Sequence, residues 1–304
     1  MKKKITVLFC LFCNSIERRN YLEVSLKSVL SKKTFRYAYV ILIDGSEYTN
    51  FKLNQKIYNL YPDLKVIHDP IISPLQRIKN QLKKIKTKYV LTLLEDCIYL
   101  NFDIEDVIKD IKILKNFKDN ATIQYPIINN QNFKKIKNRI EFKGIDFPSE
   151  ILKYQNRLFY YRSIERSKYH YLWNSLIYNK VFFIKHFTYA SKLYNHHASA
   201  EKNIPDFRFI KFIFKIRFFR KLFKLFESIF FSNYILGKII VTETIKKVDV
   251  IHIGYESNET NNVSNQYRII SKKVKGKSYL PNLSIFQNSK EIKKYKFEKR
   301  TYSI

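Results

Sequence analysis

Between residues 5 and 94, stretches that are apolar along their whole length alternate with stretches whose apolar positions recur every three or four residues. Ile5–Cys13, Tyr37–Ile43, Leu64–His68 and Tyr89–Leu94 are of the first kind and predict strands. Glu17–Leu30 is of the second, with Tyr21, Leu22, Leu26, Val29 and Leu30 near one face, and predicts a helix. Tyr48–Leu60 and Leu75–Ile85 read as further helices, the latter opened by Pro74. Strands apolar on both faces and separated by helices imply a largely parallel sheet covered on both sides. Ligands of such sheets bind beyond the carboxyl ends of the strands. Asp44 and the adjacent pair Glu95-Asp96 stand at those ends. Two neighbouring carboxylates repel each other unless a cation sits near them.

Beyond Leu94 the pattern continues with a helix over Asp103–Phe117 and a strand over Ala121–Ile128, then weakens. Arg139–Phe147 reads as a hairpin arm, Leu172–Phe183 as a strand running into a helix, and Gly237–Ile253 as strand-like, ending in His252-Ile253-Gly254. The last stretch, Asn258–Ile304, is polar, Lys-rich and aperiodic, a tail or an appended subdomain. Phe207–Phe231 (FRFIKFIFKIRFFRKLFKLFESIFF) interleaves seven basic residues with Phe, Ile and Leu. On one continuous helix Arg208, Lys211 and Lys215 would fall nearly opposite Arg217, Arg220, Lys221 and Lys224, so a break near Ile216 or Arg217 fits better. Each half then has an apolar and a basic face, the pattern of a helix lying on an anionic membrane. The plainer alternative is a pair of helices packing their Phe faces onto the domain.

Composition changes the picture in three respects. The 304 residues carry a formal charge of +31, which favours phosphate-rich partners: nucleic acid, an anionic membrane or a nucleotide-bearing substrate. The abundance of Lys, Asn, Ile, Phe and Tyr, with only 5 Gly, also fits a codon bias, so the charge alone does not argue for nucleic acid. Three cysteines, Cys10, Cys13 and Cys97, form no disulfide framework and favour a reducing compartment, here the cytoplasm. Cys10 and Cys13 make a CxxC without a second pair, so they read as small buried hydrophobes and not as a zinc site. The basic start and apolar run of MKKKITVLFCLFC resemble a signal peptide, but Asn14-Ser15-Ile16-Glu17 offers no small-residue cleavage site, and a first strand is preferred. No uncharged run approaches the roughly 18 residues of a membrane span.

The order of these segments resembles the nucleotide-sugar glycosyltransferases of the large inverting family 2 type. ITVLFCLFCN followed by YLEVSLKSVL is similar to the family's opening strand and helix. YVILIDGSEYTN is similar to its second strand and Asp-Asp-Gly-Ser turn, with Ile43 in place of the first Asp and Asp44 kept. SPLQRIKNQLKKIKTKYVLTLLEDCIYL is similar to the stretch that leads to the metal-binding acidic motif, here Glu95-Asp96-Cys97. The likeness covers about the first hundred residues well and the rest thinly.

The resemblance implies an α/β protein of GT-A type, a Rossmann-like and mostly parallel sheet flanked by helices with a C-terminal helical and basic extension. It divides the chain into a nucleotide-sugar-binding half (1–130), an acceptor-side half that includes the basic Phe-rich segment 207–231 (131–255) and the Lys-rich tail (256–304). The implied activity is a metal-dependent, inverting transfer of a hexosyl group from a nucleotide-diphospho-sugar to a glycan or lipid-linked acceptor beside an anionic membrane surface. Mn²⁺ or Mg²⁺, which accept hard carboxylate oxygens, would be held by Asp96, with His252 in VDVIHIGYE as a second ligand. Glu95 would approach the donor ribose, Asp44 the nucleoside and Phe12 the base, and Arg77 would contact the diphosphate or the base. Each has a structural alternative: Asp44 as a turn cap, Glu95 as a solvated strand end, His252 as a core residue. Inversion requires a general base near the acceptor hydroxyl. Glu201 is the candidate, then Asp206, with Glu165 and Glu150 further off. Glu95 and Cys97 depart from the family's acidic pattern, and a soft thiol is a poor ligand for Mg²⁺. Two other readings stand beside this one: a nucleic-acid-binding basic protein, which leaves the strand-end carboxylates unexplained, and a catalytically inactive GT-A binding module.

Overall fold

The computed structural model describes residues 2–125 except 71, 72, 101, 116, 118 and 119, and then 151–154, 158–161, 170–171, 175–195, 199–200, 203–207, 212–242 and 249–252. The hairpin arm expected over Arg139–Phe147 and the tail from residue 256 lie outside these residues.

Four strands open the sheet: β1 (Ile5–Leu11), β2 (Ala38–Asp44), β3 (Lys65–His68) and β4 (Tyr89–Leu93). They lie parallel in the order β3-β2-β1-β4. Four helices link them: α1 (Ile16–Val29), α2 (Lys32–Tyr37), α3 (Tyr48–Tyr58) and α4 (Pro74–Gln81), the last extended by a 3-10 turn over Leu82–Lys84. The short strand β5 (Cys97–Leu100), the helix α5 (Ile104–Leu114) and β6 (Ala121–Gln124) follow. After them come β7 (Ile151–Tyr154), β8 (Leu158–Tyr161), β9 (Leu176–Asn179), α6 (Lys180–Leu193), a 3-10 turn over Ile213–Lys215, α7 (Arg217–Phe230), β10 (Lys238–Thr242) and β11 (Asp249–His252). The full sheet runs β3-β2-β1-β4-β9-β6-β10-β8-β7, and β5 pairs separately with β11.

The sheet is therefore α/β and Rossmann-like, parallel through β4 and mixed beyond it. β9 enters antiparallel between β4 and β6, so a strand from the second half of the chain is built into the sheet of the first. The apolar run at the N-terminus is β1, an interior strand paired with β2 on one side and β4 on the other.

Alternation along β1 builds two cores. Ile5, Val7, Phe9 and Leu11 point to one face and join Leu22 and Leu26 of α1, Ile57 of α3 and Val107 of α5. Leu8 and Cys10 point to the other and join Leu75 and Ile78 of α4 and Phe182, Phe183 and Phe187 of α6. Successive side chains of a strand face opposite ways, so a strand buried on both faces must be apolar throughout. Burying each of these large side chains contributes about 1.5–3 kcal/mol.

Candidate functional site

The carboxyl ends of β1, β2 and β4 converge, and backbone geometry at β2 sets the arrangement. The turn Asp44-Gly45-Ser46 is stitched to the end of β1: the Gly45 N–H donates to the Leu11 carbonyl at 2.9 Å, and the Cys13 N–H donates to Ser46 Oγ at 2.7 Å. Asp44 is fully buried. Its Oδ1 accepts from the Ser46 N–H at 2.7 Å, and its Oδ2 accepts from Asn54 Nδ2 at 3.0 Å and from the Tyr58 hydroxyl at 2.5 Å. Asn54 and Tyr58 lie four residues apart on α3, on one face of the helix. Asp44 thus uses both carboxylate oxygens inside the protein, holding the turn in shape.

Gly45 makes room for an arginine. A Cβ at this position would stand 1.4 Å from Arg77 Nη1. Arg77 rises from α4, is 2% exposed and donates from Nη1 to the Leu11 carbonyl at 2.8 Å. Its guanidinium carbon lies 5.8 Å from the centre of the Phe12 ring, a cation–π contact, and Phe12 is half-exposed. The structure brings Phe12 and Arg77 together at the carboxyl end of β1.

Across from them stands the acidic pair. Glu95 is buried, and its Oε1 accepts from Arg18 Nη1 at 2.8 Å. The backbone N–H of Phe12 also supports its carboxylate. Burial, and then the charge of Asp96, push Glu95 up from 4.5 to about 7, against the pull of Arg18. Arg18 is thus the cation beside the pair. Asp96 is half-buried beside Glu95. Cys97 turns into the core, fully buried, and burial raises its thiol well above the ordinary value, so it stays protonated. Its Sγ lies 3.8 Å from Asp96 Oδ1.

Arg18 escaped the sequence reading. It sits in the first turn of α1, behind the cap Ser15, whose Oγ accepts from the Arg18 N–H at 3.1 Å. Arg19 follows it, donating to Asn54 Oδ1 at 3.0 Å and Asn50 Oδ1 at 3.3 Å. Two arginines at the positive end of a helix dipole are unfavourable without such partners, and that was the available signal.

The remaining candidates are placed differently. β11 runs antiparallel to β5 with His252 opposite Cys97, so its backbone lies one residue in register from Asp96. Asp206 accepts at Oδ2 from the Asn195 N–H at 2.6 Å, and its own N–H donates to the Leu193 carbonyl at 2.9 Å, closing the end of α6. The Asn195 carbonyl in turn accepts from Ser73 Oγ, the cap of α4, at 2.5 Å. A chain of bonds therefore joins Asp206 to the helix that carries Arg77. Glu201, Glu165 and Glu150 lie outside the described residues. Among the described residues no group of three or more His, Cys, Asp or Glu side chains is arranged to hold a metal ion. The carboxylate oxygens of Glu95 and Asp96 are the hard donor type that a divalent ion takes.

No family model matches the sequence, and no curated protein matches it. Among solved structures, Staphylococcus aureus TarS residues 1–349 are similar at 15% identity, over 98% of this chain and 73% of that one, with a TM-score of 0.42. The same TarS fragment in complex with UDP-GlcNAc is 14% identical over 97% of this chain and 73% of that one, at 0.42. The mannosyltransferase PcManGT from Pyrobaculum calidifontis, in complex with GDP-Man and Mn²⁺, is 9% identical over 60% of this chain and 46% of that one, at 0.39. Similarities at this level assign neither a family nor a substrate to the chain.

Proposed function

We propose that the protein is a GT-A-type glycosyltransferase that binds a nucleotide-diphospho-sugar at the carboxyl ends of β1, β2 and β4. One observation carries this reading: a half-exposed aromatic in cation–π contact with a buried arginine, Phe12 with Arg77, lies beside a strand end with two adjacent carboxylates, Glu95 and Asp96, the first supported by the Phe12 backbone. An aromatic ring suits a base, a guanidinium suits phosphate oxygens, and acidic oxygens suit a ribose hydroxyl or a cation. Asp44 acts from beneath, shaping the turn that admits Arg77. Mn²⁺ or Mg²⁺ would be held by Asp96, with His252 as the second ligand from β11; when bound, it supplies neutralisation of the leaving diphosphate.

The acceptor is a glycan or a lipid-linked sugar, the group moved is a hexosyl unit, and the reaction inverts the anomeric centre. Glu201 is the base. Asp206 is the lesser candidate, because its carboxylate already closes the end of α6. The protein works peripherally at a cytoplasmic membrane face, where an anionic surface and lipid-linked acceptors meet. Nucleic acid is not its partner, since a phosphate-backbone groove gives no use to the buried acidic pair. A second reading, a donor-binding module without turnover, is favoured by Arg18, which already occupies Glu95 as a resident cation.

Donor turnover tests the proposal. Nucleoside diphosphate released from UDP- or GDP-sugars should depend on Mn²⁺ and fall at least about a hundredfold in Asp96→Ala. Anomeric NMR of the product should show inversion. Binding of donor with no turnover in the wild type would select the module, and retention would remove Glu201.

A further inference from the structure

α7 is mounted with its apolar face outward. Phe218, Phe219, Leu222, Leu225, Phe226 and Ile229 are between 39% and 67% exposed, whereas Lys224 and Glu227 are 7% and 0% exposed. At about 100° per residue the six apolar side chains span an arc of about 120°, with Glu227 and Lys224 on the opposite side. A surface helix that folded only to bury apolar area would present the reverse. The apolar strip continues across the preceding turn through Phe212, Ile213 and Ile216, at 74%, 40% and 47% exposure.

A polar hub holds the helix this way round. Glu227 Oε2 lies 2.8 Å from His170 Nδ1 and accepts from Asn203 Nδ2 at 2.7 Å. Its Oε1 accepts from the hydroxyls of Tyr171 at 3.0 Å and Tyr194 at 3.4 Å. Ser228 Oγ lies 3.1 Å from the far nitrogen of His170. Asn203 reaches the hub from a left-handed backbone conformation, φ 50°. Rolling the helix to hide its Phe face would break all of these contacts at once.

We propose that this outward face seats α7 flat on an anionic lipid surface. Exposed Lys221 borders the apolar strip, and Lys215 and Arg217 are exposed where the turn enters the helix, placing cations where lipid phosphates lie while Phe, Leu and Ile enter the acyl boundary. The net charge of +31 draws the whole molecule to such a surface. A second copy of the chain is the poorer occupant, because two such faces would bring like-charged borders and two strongly cationic bodies together. Among the described residues no helix is long and apolar enough to cross a membrane, so α7 lies on the surface and does not span it. The inference stands apart from the donor chemistry at the strand ends.

Flotation of the full chain with phosphatidylcholine vesicles, with and without phosphatidylglycerol, tests it. Binding should require phosphatidylglycerol and weaken with salt. The triple variant Lys215→Gln/Arg217→Gln/Lys221→Gln should lose binding roughly a hundredfold. Leu222→Ser/Leu225→Ser/Ile229→Ser should abolish it with no fall in thermal midpoint, because these side chains are outside the fold. Asp96→Ala should bind vesicles like the wild type, which separates this result from failure of the donor site. Absence of vesicle binding, binding unchanged in both variants, or a dimer in analytical ultracentrifugation that the serine variant dissolves while vesicles are ignored would each overturn the proposal.

Discussion

An arginine in the first turn of a helix meets the positive end of its dipole, and α1 carries Arg18 there, 2.8 Å from Glu95. The pairing keeps a buried carboxylate beside a second one. Because Glu95 is raised from 4.5 to about 7, the folded state binds its proton where the unfolded chain has lost it. Its contribution to stability is complete below 4.5 and is lost as pH rises through about 7, the opposite of an ordinary salt-bridged acid. Arg18→Met should therefore cost about 1–3 kcal/mol near pH 8, discounted because Arg18 is partly exposed, and clearly less near pH 5. Urea denaturation at the two pH values measures this, and equal losses would contradict it. His186 acts in the opposite direction: burial lowers it from 6.5 to about 4, so its contribution is lost as pH falls through that range. The comparison is accordingly read as mutant minus wild type. Arg18 could be suspected from sequence as an ill-placed cation near an ill-placed acidic pair. Asp44 could be read as a turn cap, and its Oδ1 does accept from the Ser46 N–H, but its anchoring by Asn54 and Tyr58 could not, because they meet it only once α3 has docked.

Elements whose apolar pattern faces a core were legible to within a few residues. Glu17–Leu30, Tyr48–Leu60 and Tyr89–Leu94 appear as α1, α3 and β4. The helix α2 was not, since KKTFRY has no apolar period and is held by the Ser31 cap and by tertiary packing. In α7 the break near Ile216 was readable, with Ile216 as the residue before the helix, yet the direction of its faces was not. Periodicity says that a helix has two faces and not which one is buried. Here the choice belongs to Glu227, whose partners come from residues 170, 171, 194 and 203. It also corrects the use of Lys224 as a surface charge, since that side chain is turned inward. Glu227→Gln should destabilise the protein by about 3 kcal/mol, because it removes the hub's charge and sets an amide donor against donors. Thermal unfolding measures the loss, and limited proteolysis should show faster cleavage within 212–230. An unchanged midpoint would mean that the hub does not fix the helix.

At the scale of the molecule, the first half of the chain was readable because β1 to β4 are local βα repeats with short links. In the second half the elements were readable, Leu172–Phe183 as β9 running into α6 and Gly237–Ile253 as β10 and β11, but their placement was not, because β9 leaves its sequence neighbours to pair between β4 and β6, and such long-range placement has no local pattern. The high charge likewise says little until it is placed. Around α7 part of it stands beside an apolar face, whereas at the strand ends Arg18 pairs with the buried Glu95. Those ends are the centre of the account. The most direct measurement is a thermal-shift titration with UDP, GDP, CDP and CMP, each with and without Mn²⁺, on wild type and Asp96→Ala. One nucleoside diphosphate at about a hundred times its dissociation constant should add about 2.7 kcal/mol to wild-type stability, only with Mn²⁺ and not in Asp96→Ala. No shift with any nucleotide, or an equal shift in the variant, would contradict the assignment of the strand ends as a metal-assisted nucleotide-sugar site.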